Sequence, residues 1–316
     1  MKVRLGYVAI PITLQDKSYF HTLTYTQYEH LSCLERKEKL DQILRYNLDT
    51  FYHTLQYNKQ NDIFFYRFSH NIVPLVTHPK VSFDYIKEYA PIWGKIGDYI
   101  RHNGMRVDSH PDQYCVLNST NEEVVKSSIQ ILKTIDQMYQ AMNIQSFMIL
   151  HVGSSYPTKE EAKARFLQNF KALPKRIQKE IILENDDRVF HTLDVLEICE
   201  ELGIPMILDV HHEFCHSSPI PLKDLLPRIF STWKSVEMNP KIHFSSRKSR
   251  QEKRSHHTYI NYKSFCKCLE LLKTVGQDVD IMLECKGKDE ALFRLVRQLR
   301  FHKNGEFCNQ TTFYIS

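Results

Sequence analysis

Eight short stretches of strand-forming residues run through this chain, and from the second onward each ends in or runs straight into an ionisable or metal-binding side chain. Because a parallel (β/α)8 barrel gathers the carboxyl ends of eight strands around one axis, it would make these scattered side chains neighbours. The stretches cover residues 2–5, 63–68, 105–109, 147–150, 181–183, 206–208, 241–244 and 280–283.

Amphipathic helical patterns lie between the strands. One begins after Ser32, which forms a capping box with Glu35, and another begins near Thr192 and ends before Gly203, a typical C-cap. The others lie after Thr120 and near 92–102, 159–172, 222–235, 261–274 and 289–299, with Pro227 making the 222–235 element less regular.

This alternation predicts a single (β/α)8 barrel over residues 1–300 and a C-terminal extension of unknown role over residues 301–316. A doubly wound open sheet is the competing layout. It binds its ligand at one switch point, however, and would not need chemistry at seven strand ends.

Composition excludes several classes of protein. A hydrophobic fraction of 42% suffices for a full core, and no run approaches the roughly 18 to 20 apolar residues that span a bilayer. The N-terminus lacks a signal-peptide pattern, so we expect a cytoplasmic, nucleoid-associated protein in a bacterium or a nuclear one in a eukaryote. None of the 8 cysteines forms a CxxC pair, which argues against disulfides or a zinc knuckle.

The strand ends carry imidazoles and carboxylates, a mixture suited to Zn, Mn or Fe without any thiolate. A single histidine is more often a surface or core residue, but so many near strand ends are hard to explain by chance. Each carboxylate follows an apolar run, where an unpaired buried charge would cost several kcal/mol. Eight ligands suffice for two or three ions, bridged by carboxylates such as Glu184 and Asp209. The candidates are His110, His151, Glu184, Asp209, His212, His243, His256 and Glu284.

Lys241 lies two residues before His243 in the seventh strand, so both side chains face the same way. If His243 binds a metal, the Lys241 ammonium suffers desolvation and repulsion, and carboxylation of its amine would remove both. The alternative is a lysine on an outward-facing rim, paired to an acid.

A cluster of basic residues follows the seventh strand, between His243 and His256. Such a loop could neutralise several phosphates, and the net charge of +5 permits a nucleic-acid partner. A solvated charge run is the usual explanation of such a pattern, but the flanking histidines would hold this one over the catalytic face. The cluster contains Arg247, Lys248, Arg250, Lys253 and Arg254.

Several motifs, spread in order over nearly the whole chain, resemble those of the UV damage endonucleases, a DNA repair family related in fold to apurinic endonucleases and xylose isomerase. The sequences His-Pro-Asp-Gln-Tyr at 110–114 and Glu-Asn-Asp-Asp at 184–187 are the specific ones. The supporting stretches are 4–7, 66–70, 109–114, 150–153, 183–187, 208–212, 241–243 and 283–286.

The resemblance implies a TIM barrel with three divalent ions, usually manganese, with Zn²⁺, Co²⁺ or Mg²⁺ as other options. It implies cleavage of damaged double-stranded DNA 5′ to pyrimidine dimers, by water that the ions activate, and catalytic roles for Glu184, Lys241 and His70. The eight candidate ligands match the family's ligands, with His256 chosen over His257 because Tyr-Ile follows. Lys241 matches a carboxylated lysine, and His70 matches a histidine that handles the lesion and its phosphate.

The same resemblance assigns DNA contacts to Tyr7, Gln113 and Tyr114. Gln113 and Tyr114 match a probe inserted into the duplex, where an aromatic wedge beside an amide can fill the gap left by a flipped base. Ordinary packing is the alternative for Tyr114. Of the basic cluster, Arg247, Lys248 and Arg250 are the expected DNA contacts. We expect a monomer without a membrane partner or an organic cofactor.

Two other function classes are compatible with the pattern. A sugar isomerase or epimerase could use the same barrel and two of the ions, but it would need a small enclosed pocket, which an exposed basic loop argues against. A non-catalytic nucleic-acid binder would be expected to have lost ligands, whereas all eight positions are filled.

Overall fold

The structure is a computed structural model that describes residues 1–14, 19–111 and 114–316. Eight parallel strands pair in chain order and the eighth pairs with the first, which closes the barrel. The predicted (β/α)8 barrel is confirmed, since each predicted stretch overlaps one strand. The strands are Lys2–Val8 (β1), Phe65–Ser69 (β2), Arg106–His110 (β3), Met148–Leu150 (β4), Ile181–Glu184 (β5), Met206–Asp209 (β6), Lys241–Phe244 (β7) and Val279–Leu283 (β8).

Helices lie in every connection between these strands and also after β8. None of the helices in the described ranges combines the length and the apolar composition that a bilayer-spanning segment needs. The helices are Tyr25–Glu29 (α1), Cys33–Gln60 (α2), Ala90–His102 (α3), Glu122–Met142 (α4), Lys159–Ala172 (α5), Lys175–Glu180 (α6), Thr192–Leu202 (α7), Val210–Cys215 (α8), Leu222–Ser231 (α9), Tyr262–Lys273 (α10) and Lys288–Phe301 (α11).

The predicted helix ends are explained by local chemistry. The Ser32 hydroxyl accepts from Glu35 N at 3.4 Å while the Glu35 carboxylate accepts from Ser32 N at 2.8 Å, which completes the capping box of α2. Gly203 ends α7 with a φ of 66°. Pro227 lies inside α9, and the predicted 222–235 element divides into a helix and a 3-10 turn, Thr232–Ser235.

The barrel interior is apolar on one side and charged on the other. Ile149, Ile182 and Ile207 pack together over the indole of Trp233. The opposite side holds buried ion pairs instead of aliphatic side chains, which is unusual because branched aliphatic residues dominate most such barrels. The members of this network are Arg4, Arg106, Asp108, Lys241 and Asp280.

The residues after α11 form a short hairpin of Glu306–Phe307 (β9) and Thr312–Tyr314 (β10). β10 runs antiparallel to the first half of β1, with Val3 opposite Phe313, whereas β2 pairs with the end of β1. The extension therefore adds to the sheet at the amino end of the barrel, far from the carboxyl ends of the strands.

Candidate metal centre

Inward-facing side chains at the carboxyl ends of five strands meet in one layer. β5, β6 and β7 supply Glu184, Asp209 and His243, β3 ends at His110, and Glu284 directly follows β8. Asp209 and His243 are register partners on neighbouring strands. The barrel therefore brings together residues that lie up to 174 positions apart in the chain.

Glu184 is at the centre of this layer and is only 1% exposed. Its Oε2 lies 3.5 Å from His110 Nε2 and 3.8 Å from His151 Nε2. Its Oε1 lies 2.8 Å from His243 Nδ1. One carboxylate thus faces imidazole nitrogens on both sides, the position expected of a bridging ligand.

Two sets of donor atoms in the layer are compact enough to hold a metal ion. Within each set, one donor atom per residue lies within 4.8 Å of the others. Glu184 belongs to both sets and could bridge two ions, whereas Asp209, the other predicted bridging ligand, belongs to one set. The first set contains His110, His151 and Glu184, and the second contains Glu184, Asp209, His243 and Glu284.

Two buried atoms of the second set indicate that a cation belongs there. Among the described residues, neither Asp209 Oδ2 nor His243 Nε2 finds a hydrogen-bond partner. Buried polar atoms are nearly always bonded, and an orphaned acceptor in a cluster of carboxylates is costly. Carboxylate oxygens and imidazole nitrogens without thiolate suit Mn²⁺, Zn²⁺ or Fe²⁺, so the residues present fit a divalent metal centre.

Backbone carbonyls orient three of the histidines. His110 Nδ1 lies 2.7 Å from the carbonyl oxygen of the next residue, His151 Nδ1 lies 3.3 Å from that of Glu184, and His212 Nδ1 lies 2.9 Å from that of Asn185. When such a ring is neutral, its Nδ1 proton is donated to the carbonyl and Nε2 carries the lone pair. Metal-binding histidines are commonly fixed in this way.

His212 and His256 lie at the edge of the two sets. His212 Nδ1 is 3.8 Å from Glu184 Oε1, and His256 Nδ1 is 4.0 Å from Glu284 Oε2. His257 is exposed and its ring instead caps the backbone of Tyr259. The structure thus turns His256, not His257, towards the carboxylates.

The electrostatics of the layer show an accumulation of negative charge. Burial and the nearby carboxylates of Glu184 and Glu284 raise the pKa of Asp209 to about 7. Burial alone would lower the pKa of His212, but Asp209 and Glu184 raise it to about 9. The raised pKa values of Asp209 and His212 both indicate a negative electrostatic potential in the layer. Such a potential would stabilise bound cations.

Lys241 lies inside the barrel, one layer deeper than His243, as the period of two predicted. Its fully buried Nζ donates to Asp108 Oδ2 at 3.0 Å, and Arg106 Nε lies 3.4 Å from the same oxygen. Burial lowers the pKa of Lys241 to about 8, against the raising effect of Asp108. The ammonium therefore has an internal acidic partner that the sequence analysis did not identify.

Tyr7 faces away from the barrel interior. Its side chain is fully buried, its ring packs 5.3 Å from the Tyr66 ring, and its hydroxyl donates to Asn58 Oδ1 of α2 at 2.7 Å. Side chains alternate along β1, and Gly6 takes the inward position, where a Cβ would lie 2.1 Å from the Phe65 carbonyl oxygen. The structure therefore does not support the predicted contact of Tyr7 with DNA, because packing between barrel and α2 occupies this side chain.

His70 and Tyr114 both lie at the mouth of the barrel. His70 follows β2, with Nδ1 3.0 Å from the His110 carbonyl oxygen, and Tyr114 is 71% exposed. Together they border a cavity of about 200 Å³ that residues 71–77 and α4 complete. The predicted probe residue Gln113 lies outside the described residues.

The basic cluster after β7 folds as a hairpin of residues 246–257, here called the basic hairpin. Lys248 N donates to Ser255 O and His257 N donates to Ser246 O, both at 2.7 Å. His256 pairs with Arg247 across the hairpin. The fold thus holds the predicted basic residues beside the metal centre, and the exposed ones are Arg247, Lys248, Arg250, Lys253 and Arg254.

Arg67 is a site residue to which the sequence analysis gave no role. It points inward from β2, is largely buried and forms an ion pair with Glu284. Its guanidinium is thus a fixed cation beside the carboxylates. The period of two that identified Lys241 from His243 could also have found Arg67 in its strand.

Asn185 is a second residue that the sequence analysis did not single out. Its side-chain amide donates to the Asp209 carbonyl at 3.0 Å and accepts from Asp209 N at 2.8 Å. Because the amide is fully buried, this pair of bonds fixes the end of β5 against the end of β6. The Glu184 and Asp209 side chains are thereby held in register.

Three comparisons with known proteins agree on one family. The family described as UV-endonuclease UvdE matches residues 3–314. The UV DNA damage endonuclease of Bacillus cereus (strain B4264) is 39% identical over 301 residues, which cover 95% of each chain. The crystal structure of SacUVDE superimposes with a TM-score of 0.86 at 35% identity, covering 95% of this chain and 99% of that one.

A more distant likeness concerns the fold alone. Endonuclease IV from Thermus thermophilus superimposes with a TM-score of 0.52 at 14% identity, over 94% of this chain and 98% of that one.

Proposed function

The chain belongs to the UV-endonuclease family, and from that premise we propose that it is a metal-dependent DNA repair endonuclease that cuts 5′ to UV photoproducts. The observation that carries the proposal is the buried Glu184 carboxylate, shared by two sets of converging donors with orphaned atoms at Asp209 and His243. Pyrimidine dimers are the proposed lesions, and the phosphodiester beside them is the bond broken.

Manganese is the proposed metal, in up to three sites. The proposed ligands are the two compact sets together with His212 and His256, whose rings lie beside them. Divalent ions in such a site lower the pKa of water to supply a nucleophile and offset the charge that develops on a phosphodiester. The protein residues then need only bind the DNA and fix the scissile phosphate.

Cationic side chains around the mouth would position the DNA backbone. The basic hairpin supplies exposed charges to flanking phosphates, an interaction that weakens steeply as salt rises. Arg67 is fixed closer in, beside Glu284, and would face the phosphate nearest the metals. We propose that His70 contacts the lesion-side phosphate, because it follows β2 at the same mouth.

Lesion recognition is proposed to use the loop after β3. Tyr114 is exposed next to a cavity at the mouth, so its ring can enter the duplex, with Gln113 bonding to the orphaned partner base. A dimer stacks and pairs poorly, so its two nucleotides leave the helix at lower cost than normal ones.

The carboxylation of Lys241 stays a prediction. Carbon dioxide adds to the neutral amine, and burial lowers the Lys241 pKa to about 8, which makes that form accessible near neutral pH. Electron density at Nζ in a metal-loaded crystal separates the two states. A carbamate shows three extra atoms, whereas an ammonium shows only the contact with Asp108.

The nuclease activity can be tested by nicking of supercoiled plasmid. After chelation and addition of Mn²⁺, we expect UV-irradiated plasmid to be nicked far faster than undamaged plasmid, and chelated protein to be inactive. Equal nicking of both plasmids, or nicking that survives chelation, would contradict the proposal.

Replacing Arg67 with alanine is expected to lower kcat on damaged DNA about a hundredfold, the usual effect of losing one preorganised charge donor. Bound metal, measured by elemental analysis, should change little because every proposed ligand remains. Arg297→Ala removes an exposed arginine of α11 and serves as the matched control. Unchanged kcat in Arg67→Ala would remove this residue from phosphate positioning.

Replacing Tyr114 with alanine is expected to reduce the ratio of nicking on damaged to undamaged plasmid about tenfold, the effect of losing one stacking aromatic. Metal content should be unaffected, since the ring is exposed at the mouth. Tyr314→Ala is the control, because that exposed tyrosine lies on β10 at the opposite end of the barrel. A uniform loss on both plasmids together with lost metal would argue for a structural role instead.

A further inference from the structure

Phe214 is an exposed aromatic ring at the edge of the metal centre. It lies in α8, two residues after the proposed ligand His212, and is 57% exposed. A single exposed apolar residue has no meaning by itself. This ring, however, lies beneath the guanidinium of Arg247, whose Cζ is 5.6 Å from the ring centroid.

Two further contacts hold the basic hairpin in place near the Phe214 ring. Arg254 Nε lies 3.2 Å from Asp187 Oδ2 in the segment after β5. Cys215 Sγ lies 3.5 Å from the Lys253 carbonyl oxygen. The basic hairpin is therefore tied to α8 and to the β5 end, so that Phe214 and Arg247 occupy a defined junction.

We infer that Phe214 and Arg247 form a stacking platform for an unpaired nucleobase of DNA opened at the metal centre. The inference rests on the proposed function and adds a second aromatic contact to it. Tyr114 follows β3 and Phe214 follows β6, so the two rings approach the mouth from different sides of the barrel. Every base has a π-face, and stacking on an aromatic ring beside arginine is largely independent of sequence.

The charge around the ring favours DNA over an apolar protein as the binding partner. The basic hairpin carries five exposed cationic residues and places Arg247 over one small apolar face, a combination that suits a polyanion with flat bases. An apolar protein partner would need a wider contiguous patch without that charge. The platform would hold a displaced nucleotide near the opened site and so favour the bent, flipped duplex over the intact one.

The test uses the full-length, Mn²⁺-loaded chain with a duplex that carries one cyclobutane dimer and a non-hydrolysable methylphosphonate at the scissile linkage, so that cleavage does not interfere. The native tryptophans, Trp93 and Trp233, are 0% and 2% exposed, so Phe214→Trp adds a solvent-exposed reporter. We expect saturating duplex to quench the added emission, because a stacked base would cover the indole. Phe301→Trp is the control, because Phe301 is 82% exposed at the far end of α11 and should not respond.

The matching affinity measurement uses alanine variants. Phe214→Ala should raise the Kd for the dimer duplex about tenfold, while Phe301→Ala should leave it unchanged. Circular dichroism and metal content should match the wild type in both. Quenching in neither tryptophan variant or equally in both, or an unaltered Kd for Phe214→Ala, would overturn the platform.

These outcomes separate the platform from the nuclease proposal. A wild type that nicks damaged plasmid while Phe214 variants behave like Phe301 variants overturns the platform alone. A wild type that fails to nick, with Phe214→Trp still quenched by the duplex, overturns the nuclease and supports a nucleic-acid contact at this junction.

Discussion

Glu184→Gln is expected to abolish metal-dependent nicking of UV-irradiated DNA, with a loss of activity of more than about a hundredfold. Mutating a residue that only hydrogen-bonds to a metal ligand already lowers metal affinity or activity by about 10- to 100-fold. Glu184 is the only residue shared by the two compact donor sets found among the described residues. An amide keeps the shape of the side chain but supplies one weak oxygen donor and no charge. Elemental analysis of the variant should show a lower metal-to-protein ratio.

The control for this variant is Glu201→Gln, which changes the same functional group on the exposed face of α7, where it contacts Lys171. That variant should nick like the wild type. Because Glu184→Gln could disturb folding, circular dichroism and urea unfolding accompany the kinetics. A folded Glu184→Gln protein with near-normal nicking would show that this carboxylate is not part of the metal centre.

Lys241→Met is expected to lower the free energy of unfolding by about 3 kcal/mol, because it leaves Asp108 buried without its closest cation. Nζ and Oδ2 are 3.0 Å apart and both side chains are fully buried. Arg106 Nε remains 3.4 Å from the carboxylate, which places the expected loss at the lower end of the range for such pairs. Urea unfolding of the chelated protein measures the change.

A double-mutant cycle with Asp108→Asn distinguishes the ion pair from a carboxylated lysine. The ammonium state predicts that Asp108→Asn alone is destabilising and that the double variant recovers part of the loss. A carbamate at Lys241 would be repelled by Asp108, so Asp108→Asn would then stabilise the metal-loaded protein. That second result, with a carbamate in the electron density, would show that the ion pair belongs only to the metal-free protein.

The strand ends were predictable because a local sequence pattern combines with a general property of barrels. Apolar runs such as 181–183 and 206–208 identify strands that are buried on both faces, and a barrel fixes where their ends meet. Glu184 and Asp209 follow those runs directly, so their place in the layer needs no knowledge of side-chain conformation. The capping box at Ser32 is local in the same way.

Other features depend on contacts that no local pattern contains. Tyr7 follows a strand pattern as clear as the others, but its face of β1 is decided by the close approach of Gly6 to Phe65. The partner of Lys241 is Asp108, 133 residues away. The period of two places both inside the barrel, yet it does not say which charged side chains of two non-adjacent strands will meet.

The position of His212 also follows from tertiary structure. It lies in a helix, not on a strand end, and the Asn185 carbonyl turns its ring towards Glu184. The sequence analysis named His212 as a candidate ligand and gave no role to the adjacent His211. In the structure, His211 is buried beneath His256 with its ring edge-on, 5.3 Å away.

Cleavage of an end-labelled duplex that carries one cyclobutane dimer at a known position tests the central claim most directly. The account predicts a single Mn²⁺-dependent nick immediately 5′ to the dimer, absent from the matched undamaged duplex, from chelated protein and from Glu184→Gln. No cleavage in the presence of Mn²⁺, or equal cleavage of the undamaged duplex, would contradict it.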